Sequence, residues 1–120
     1  MVEFLIFGAP KCSFCTYSKI LLEDEEINHV YIDLNTFYGE WKNVIDDDEI
    51  TPYINDQRKI PIIFKRDDEN GDFVLPSKFK LKSKQPELDI PETARWRFLG
   101  GFNELDTDVK SRDITLDDDY

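Results

Sequence analysis

The sequence is poor in the residues that build several common kinds of site. Its 120 residues include only two cysteines and one histidine, too few for the four Cys or His ligands of a structural zinc site within one chain. Two cysteines are also too few for the disulfide-dense scaffold of a small secreted protein. We therefore expect no metal site and no framework of several disulfides.

Long apolar runs and an excess of basic residues are also missing. The longest apolar stretches, 4–10 and 60–64, are far shorter than the roughly 20 residues of a membrane helix. The first residues lack the basic start of a signal peptide. The 26 acidic residues outnumber the 15 basic ones and give a net charge of −11, which disfavours nucleic acid and anionic membranes as partners. We expect a single-domain, cytoplasmic, monomeric protein without repeats.

The start of the chain predicts a strand–helix–strand unit. Residues 1–7 are apolar almost throughout, as in a central strand that is buried on both faces. Residues 12–26 carry apolar side chains at helical spacing, and residues 29–34 have the β-branched and aromatic content of a second strand. Because a crossover of this kind joins neighbouring strands in the same direction, the two strands should be parallel.

Shorter signals predict the remaining elements. Two short helices are expected within residues 35–56, and a third strand, opened by a proline, over 60–64. A last short strand is expected over 96–99, directly before a Gly-Gly pair. The chain is therefore expected to have an α/β fold.

Two segments outside this pattern are predicted to lie on the surface. Residues 67–95 are expected to form an insertion before the last strand, and a further strand could begin at Phe73. Within the insertion, lysines at every second position from Lys78 to Lys84 favour a guarded edge strand, although the same cationic face could dock an acidic partner. Residues 106–120 form an acidic C-terminal segment, which we expect to be a tail that frays at its end.

Cys12-Ser13-Phe14-Cys15 stands where the first strand gives way to the first helix. The three-residue spacing puts both sulfurs on one face of the helix, where they can bond with little backbone movement. Unpaired backbone N–H groups at the helix start, together with neighbouring Lys11, should stabilise a thiolate on Cys12. Taken alone, the spacing also fits half of an intermolecular metal site or two incidental cysteines.

Two further motifs give the cysteine pair a context. Ile60-Pro61-Ile62 opens a strand downstream of the strand–Cys-x-x-Cys–helix unit, and the segment Gly100-Gly101-Phe102-Asn103-Glu104-Leu105 follows the last strand. In these features the sequence resembles the glutaredoxins, over residues 2–34, 57–64 and 97–105. It looks closest to phage-type members, in which an aromatic residue often follows Gly-Gly.

The resemblance implies a three-layer, thioredoxin-like fold with a central mixed four-stranded sheet flanked by helices, here over residues 1–105. It also implies a dithiol oxidoreductase that uses glutathione as a co-substrate, with Cys12 as the nucleophile and Cys15 as the resolving thiol. The Ile60–Pro61 peptide is expected to be cis and to pack against the cysteines. The residues that the resemblance assigns to glutathione are Lys11, Phe14, Gln57, Arg58, Ile60, Pro61, Gly101, Phe102 and Asn103.

The chain departs from the usual glutaredoxin pattern at Ser13, where proline is common, and at Asn103, where aspartate is common. Disulfide-containing proteins are the implied partners; for a phage-type member these include ribonucleotide reductase, in the host cytoplasm. Three other functions stay open: a thioredoxin-like reductase, an iron–sulfur cluster carrier that uses Cys12 with glutathione, and a protein-binding module with incidental thiols.

Overall fold

Four strands form one mixed sheet in the computed structural model, which describes residues 2–81 and 90–117. They are β1 (Phe4–Gly8), β2 (His29–Asp33), β3 (Ile62–Arg66) and β4 (Trp96–Gly100), in the spatial order β2-β1-β3-β4. Strand β1 pairs parallel with β2 and antiparallel with β3, and β4 pairs antiparallel with β3. The predicted central position of β1 and its parallel pairing with β2 are confirmed.

Helices cover both faces of this sheet. Helices α1 (Ser13–Asp24) and α4 (Phe102–Asp117) pack on one face. The other face carries α2 (Leu34–Tyr38), two 3₁₀ helices (Trp41–Asp46 and Thr51–Tyr53) and α3 (Ser77–Leu81). The segment predicted as two short helices thus forms one α-helix and two 3₁₀ helices. Within residues 2–81 and 90–117, no helix is both long and apolar enough to cross a membrane.

The alternation of side chains along β1 separates two cores. Phe4 and Ile6 pack with residues of α1 and α4, while Leu5 and Phe7 pack with the elements on the opposite face. All five residues of β1 are buried, as the continuous apolar run predicts. The result is the predicted α/β architecture of three layers, a mixed four-stranded sheet between two helical layers, which is compatible with a thioredoxin-like fold.

Part of the predicted insertion 67–95 belongs to the core. Phe73, Leu75 and Phe79 are buried in the same cluster as Phe7. The ring of Phe73 stacks on that of Phe64 at a centroid distance of 4.2 Å. The strand expected to begin at Phe73 is reduced to an isolated bridge with Trp96. The described part of this segment therefore contributes to the hydrophobic core and is not only a surface loop.

The predicted edge strand over 78–84 is wrong for the part that the structure describes, because Ser77–Leu81 forms α3. Phe79 turns into the core, and the ammonium group of Lys78 donates to the carboxylates of Asp47 and Glu49. Lysine and leucine are good helix formers, and the helix also turns Phe79 into the core. In a segment this short, these two effects outweigh the alternating pattern of lysines. Residues 82–84 lie outside the described residues.

The acidic C-terminal segment continues α4 across the expected boundary between residues 105 and 106. Leu105 and Val109 are buried one turn apart against the sheet. The ammonium group of Lys65 on β3 donates to the carboxylate of Asp108 at 2.8 Å and forms an ion pair with it. Residues 106–117, predicted as part of a tail, thus continue α4, and the end of the predicted tail, 118–120, lies outside the described residues.

Candidate active site

Cys12 is the N-cap residue of α1. Strand β1 ends at Gly8, and Lys11 turns the chain with a φ of 63°. The Sγ atom of Cys12 accepts a hydrogen bond of 3.1 Å from the backbone N–H of Cys15. An oxygen of serine, threonine, aspartate or asparagine usually takes this place, so the sulfur here satisfies an N–H group of the first helical turn. The same group and the positive helix end favour a thiolate on Cys12.

Cys12 and Cys15 form a disulfide, with their Cα atoms 5.2 Å apart. The two sulfurs differ in their surroundings: Cys15 is fully buried, whereas Cys12 is half-buried at the end of the helix. An attacking thiol can therefore approach Cys12 but not Cys15. The expected pairing of these two residues is confirmed, and the geometry suits reversible opening from the Cys12 side.

The space behind Cys15 exists because residue 8 is glycine. A Cβ placed on Gly8 would lie within 3.0 Å of both Cys15 Sγ and the hydroxyl oxygen of Tyr31. Tyr31, on β2, is half-buried, and its hydroxyl donates to the carbonyl of Ala9 at 3.4 Å. Burial, and then the charge of Asp33, raise the pKa of Tyr31, so its phenol stays protonated. Sequence reasoning missed Tyr31; a glycine inside a buried strand was the signal for a close approach.

The Ile60–Pro61 peptide is cis, as expected. Pro61 is buried and Ile60 is half-buried directly before β3. The side-chain amide of Gln57 donates to the carbonyls of Lys59 and Pro61, at 2.8 Å each. These two hydrogen bonds hold the turn before β3 in place. Gln57 therefore has a structural role as well as the ligand contact that the resemblance implies.

The Gly100-Gly101 turn leads from β4 into α4. Gly100 has a φ of 133°, and a Cβ there would collide with the side chain of Glu104. The carboxylate of Glu104 accepts a 2.7 Å hydrogen bond from the backbone N–H of Gly101. The resemblance assigns Gly101 to glutathione, but in the structure its N–H is taken by the side chain of Glu104.

A groove of about 190 Å³ brings most of the expected site together. The lining residues are Phe14, Gln57, Lys59, Ile60, Pro61, Gly101, Phe102, Asn103 and Glu104. Seven of them were expected from the sequence, and Lys59 and Glu104 are additions. Lys11 is exposed on the loop before α1 and does not line the groove, while Arg58 lines a separate hollow next to Ile54 and Asp56.

Three aromatic rings join the cysteine turn to this groove. Phe14, between the two cysteines, lies 5.8 Å from Phe102 and 5.9 Å from Tyr17, measured between ring centroids. Phe14 is 55% exposed and Tyr17 51% exposed, which is high for such large apolar rings. The three rings form one apolar patch, and two of them, Phe14 and Phe102, also line the groove.

Searches against protein-family models, curated proteins and solved structures find no match for this chain. Its functional assignment therefore depends on its own geometry: a disulfide whose outer sulfur caps a helix, and a groove that runs from Phe14 to the Gly101 turn beside a cis proline.

Proposed function

We propose that this protein is a glutathione-dependent thiol–disulfide oxidoreductase of the glutaredoxin type. The observation that carries the proposal is the placement of Cys12, whose sulfur caps α1 and is bonded to a buried Cys15. A thiolate is the nucleophile in disulfide exchange, and a helix N-terminus stabilises it.

The reaction begins with the dithiol form. The Cys12 thiolate attacks one sulfur of a substrate disulfide, forms a mixed disulfide and releases the other substrate sulfur as a thiolate. The Cys15 thiol gives its proton to solvent and attacks Cys12 Sγ, which releases the second substrate thiolate and forms the intramolecular disulfide. Two glutathione molecules then restore the dithiol: the first opens the disulfide at Cys12, and the second leaves with the first as oxidised glutathione.

The groove, whose lining includes Phe14 from the Cys12–Cys15 turn, offers glutathione a place. Glutathione carries two carboxylates, and the ammonium-bearing side chain of Lys59 is exposed on the groove. The half-buried Ile60, before the cis proline, and the Gly101 turn lie at the same groove. We infer that Lys59, and not Arg58, meets a glutathione carboxylate, because only Lys59 lines the groove.

Charge reversal at these two neighbours tests that placement. Lys59→Glu is expected to raise the KM for a glutathionylated peptide about 3- to 10-fold with little change in kcat, because an attraction becomes a repulsion at a partly solvated site. Arg58→Glu, the matched control with the same charge change, is expected to alter KM less than twofold. Steady-state kinetics over a range of peptide concentrations measures both. Equal effects of the two variants would remove Lys59 from the site.

Glu104 opposes an anionic ligand while it occupies the Gly101 N–H. Glu104→Gln keeps an oxygen that can accept this hydrogen bond and removes the negative charge. We expect the KM for the glutathionylated peptide to fall about two- to threefold. Glu69→Gln, which neutralises an exposed carboxylate outside the groove, is the control. An unchanged or higher KM for Glu104→Gln would contradict this reading of the groove.

Turnover of a glutathionylated peptide, coupled to glutathione reductase, tests the function as a whole. The proposal expects turnover that requires glutathione. Reduction by a flavoprotein reductase without glutathione would identify a thioredoxin-like reductase. A visible-absorbing dimer that forms on reconstitution with iron, sulfide and glutathione, without turnover, would identify a cluster carrier. An unreactive Cys12 would favour a binding module. We expect protein disulfides, such as that of a ribonucleotide reductase, to be the physiological substrates.

A further inference from the structure

The hydroxyl of Tyr31 and the sulfur of Cys15 share one small space behind the disulfide. Phe4, Ile6 and Gly8 are the alternate residues of β1 that face α1, and the first two fill the core there. The third, Gly8, has no side chain, and a Cβ on it would meet both Tyr31 Oη and Cys15 Sγ. The sequence thus leaves an opening in the strand that a phenol hydroxyl and a thiol sulfur occupy together.

Opening of the disulfide from the Cys12 side leaves a negative charge on the buried sulfur of Cys15. Cys15 is fully buried, so its sulfur is poorly solvated and a thiolate there lacks most of the stabilisation that bulk water gives. An unpaired anion in such a place is costly, whereas a hydrogen bond from a neutral donor offsets part of that cost. The Tyr31 hydroxyl is such a donor: it shares the space next to Gly8 with Cys15 Sγ, and one of its bonds is to the Ala9 carbonyl, at 3.4 Å.

We propose that Tyr31 is a positioning residue for Cys15: when the disulfide opens, its hydroxyl turns from the Ala9 carbonyl to Cys15 Sγ and stabilises the thiolate. The inference rests on the redox cycle proposed above. A reductant thiolate attacks Cys12 Sγ and forms a new S–S bond, the Cys12–Cys15 bond breaks, and Cys15 leaves with the electron pair. Tyr31 keeps its proton throughout, and Cys15 later takes one from solvent. In the reverse step the same hydrogen bond supports the attacking Cys15 thiolate.

Tyr31→Phe tests this role, because it removes the hydroxyl and keeps a ring beneath the Lys19 ammonium group, which lies 4.7 Å from the ring centroid. The probe is dithiothreitol, which opens the disulfide without glutathione; the products are trapped by acid and alkylation and counted by mass spectrometry. We expect opening to slow about 3- to 10-fold, as for loss of one hydrogen bond to a charged group. The equilibrium with dithiothreitol should also move toward the disulfide, by up to tenfold, or about 30 mV.

Tyr53→Phe is the matched control, since Tyr53 packs against Phe73 in the core on the opposite face of the sheet. It should leave the opening rate unchanged. In a Cys15→Ser background, Tyr31→Phe should leave the alkylation of Cys12 by iodoacetamide unchanged, because the leaving sulfur is gone.

Two results would overturn the role of Tyr31. One is an opening rate equal to that of the native protein; the other is an equal slowing of Cys12 alkylation, which indicates a general disturbance of the site. Failure of the proposed function looks different. If glutathionylated peptide is not turned over but dithiothreitol opening still depends on the hydroxyl, the glutathione assignment fails while the role of Tyr31 stands.

Discussion

Cys12→Ser is expected to abolish turnover of a glutathionylated peptide, by on the order of 10³-fold or more, while Cys15→Ser keeps part of it. Cys12 is the accessible sulfur at the helix N-cap, and Cys15 is fully buried behind it. Without Cys15, the mixed disulfide on Cys12 has no internal thiol to resolve it, so it persists until glutathione reduces it. Coupled kinetics, together with mass spectrometry after treatment with oxidised glutathione, separates the two variants: a glutathione adduct should accumulate only on Cys15→Ser.

Ser13→Ala, at the exposed position between the cysteines, controls for disturbance of the first helical turn and should retain full activity. Glutathionylation of Cys12→Ser at the native rate would reverse the assigned roles. If neither thiol reacted faster than free cysteine at neutral pH, the enzymatic proposal itself would be wrong.

Phe73→Ala is expected to lower the free energy of unfolding by about 3–5 kcal/mol, as for other fully buried aromatic residues replaced by alanine. Its ring stacks on Phe64 and contacts Phe7 and Tyr53, and it is completely buried. The effect is large because the ring is completely buried, although the sequence predicts that this segment lies outside the core. Urea unfolding, followed by fluorescence and by circular dichroism, measures the change.

Val74→Ala is the matched control from the next position along the chain. Val74 is 40% exposed, and its truncation should cost less than about 1 kcal/mol. Similar small losses for both variants would show that the segment around residue 73 contributes little to the fold. Replacement of residues 67–95 by a tight turn is likewise expected to prevent stable folding, because Leu75, Phe79 and Ala94 would leave the core with Phe73.

Local patterns in the sequence were enough to predict the strand–helix–strand unit and the pairing of the two cysteines. The continuous apolar run before Gly8 predicts a strand that is buried on both faces. In the structure β1 is this strand, and it lies between β2 and β3. The spacing of Cys12 and Cys15 on one helical turn fixed their proximity through helix geometry alone, whatever the rest of the chain does.

Weak or mixed sequence patterns gave wrong predictions of local structure where the burial of one or two side chains had the larger effect. The alternating lysines predicted a strand, yet Phe79 anchors the segment as α3. The acidic composition after residue 105 suggested a tail, yet Leu105 and Val109 provide an apolar edge one helical turn apart, and this holds α4 on the sheet. Composition averages over a segment, whereas packing responds to individual positions.

The α/β fold class, the cysteine pair and the candidate motifs around it could be predicted from residues that lie close together in the chain. Which other side chains share the site became clear only once the chain was folded. It put Lys59 rather than Arg58 on the groove, placed Glu104 on the Gly101 N–H, and brought the Tyr31 hydroxyl behind Cys15. These contacts join side chains from different strands and loops, and their geometry is set by sheet register and chain direction, which a linear pattern does not encode.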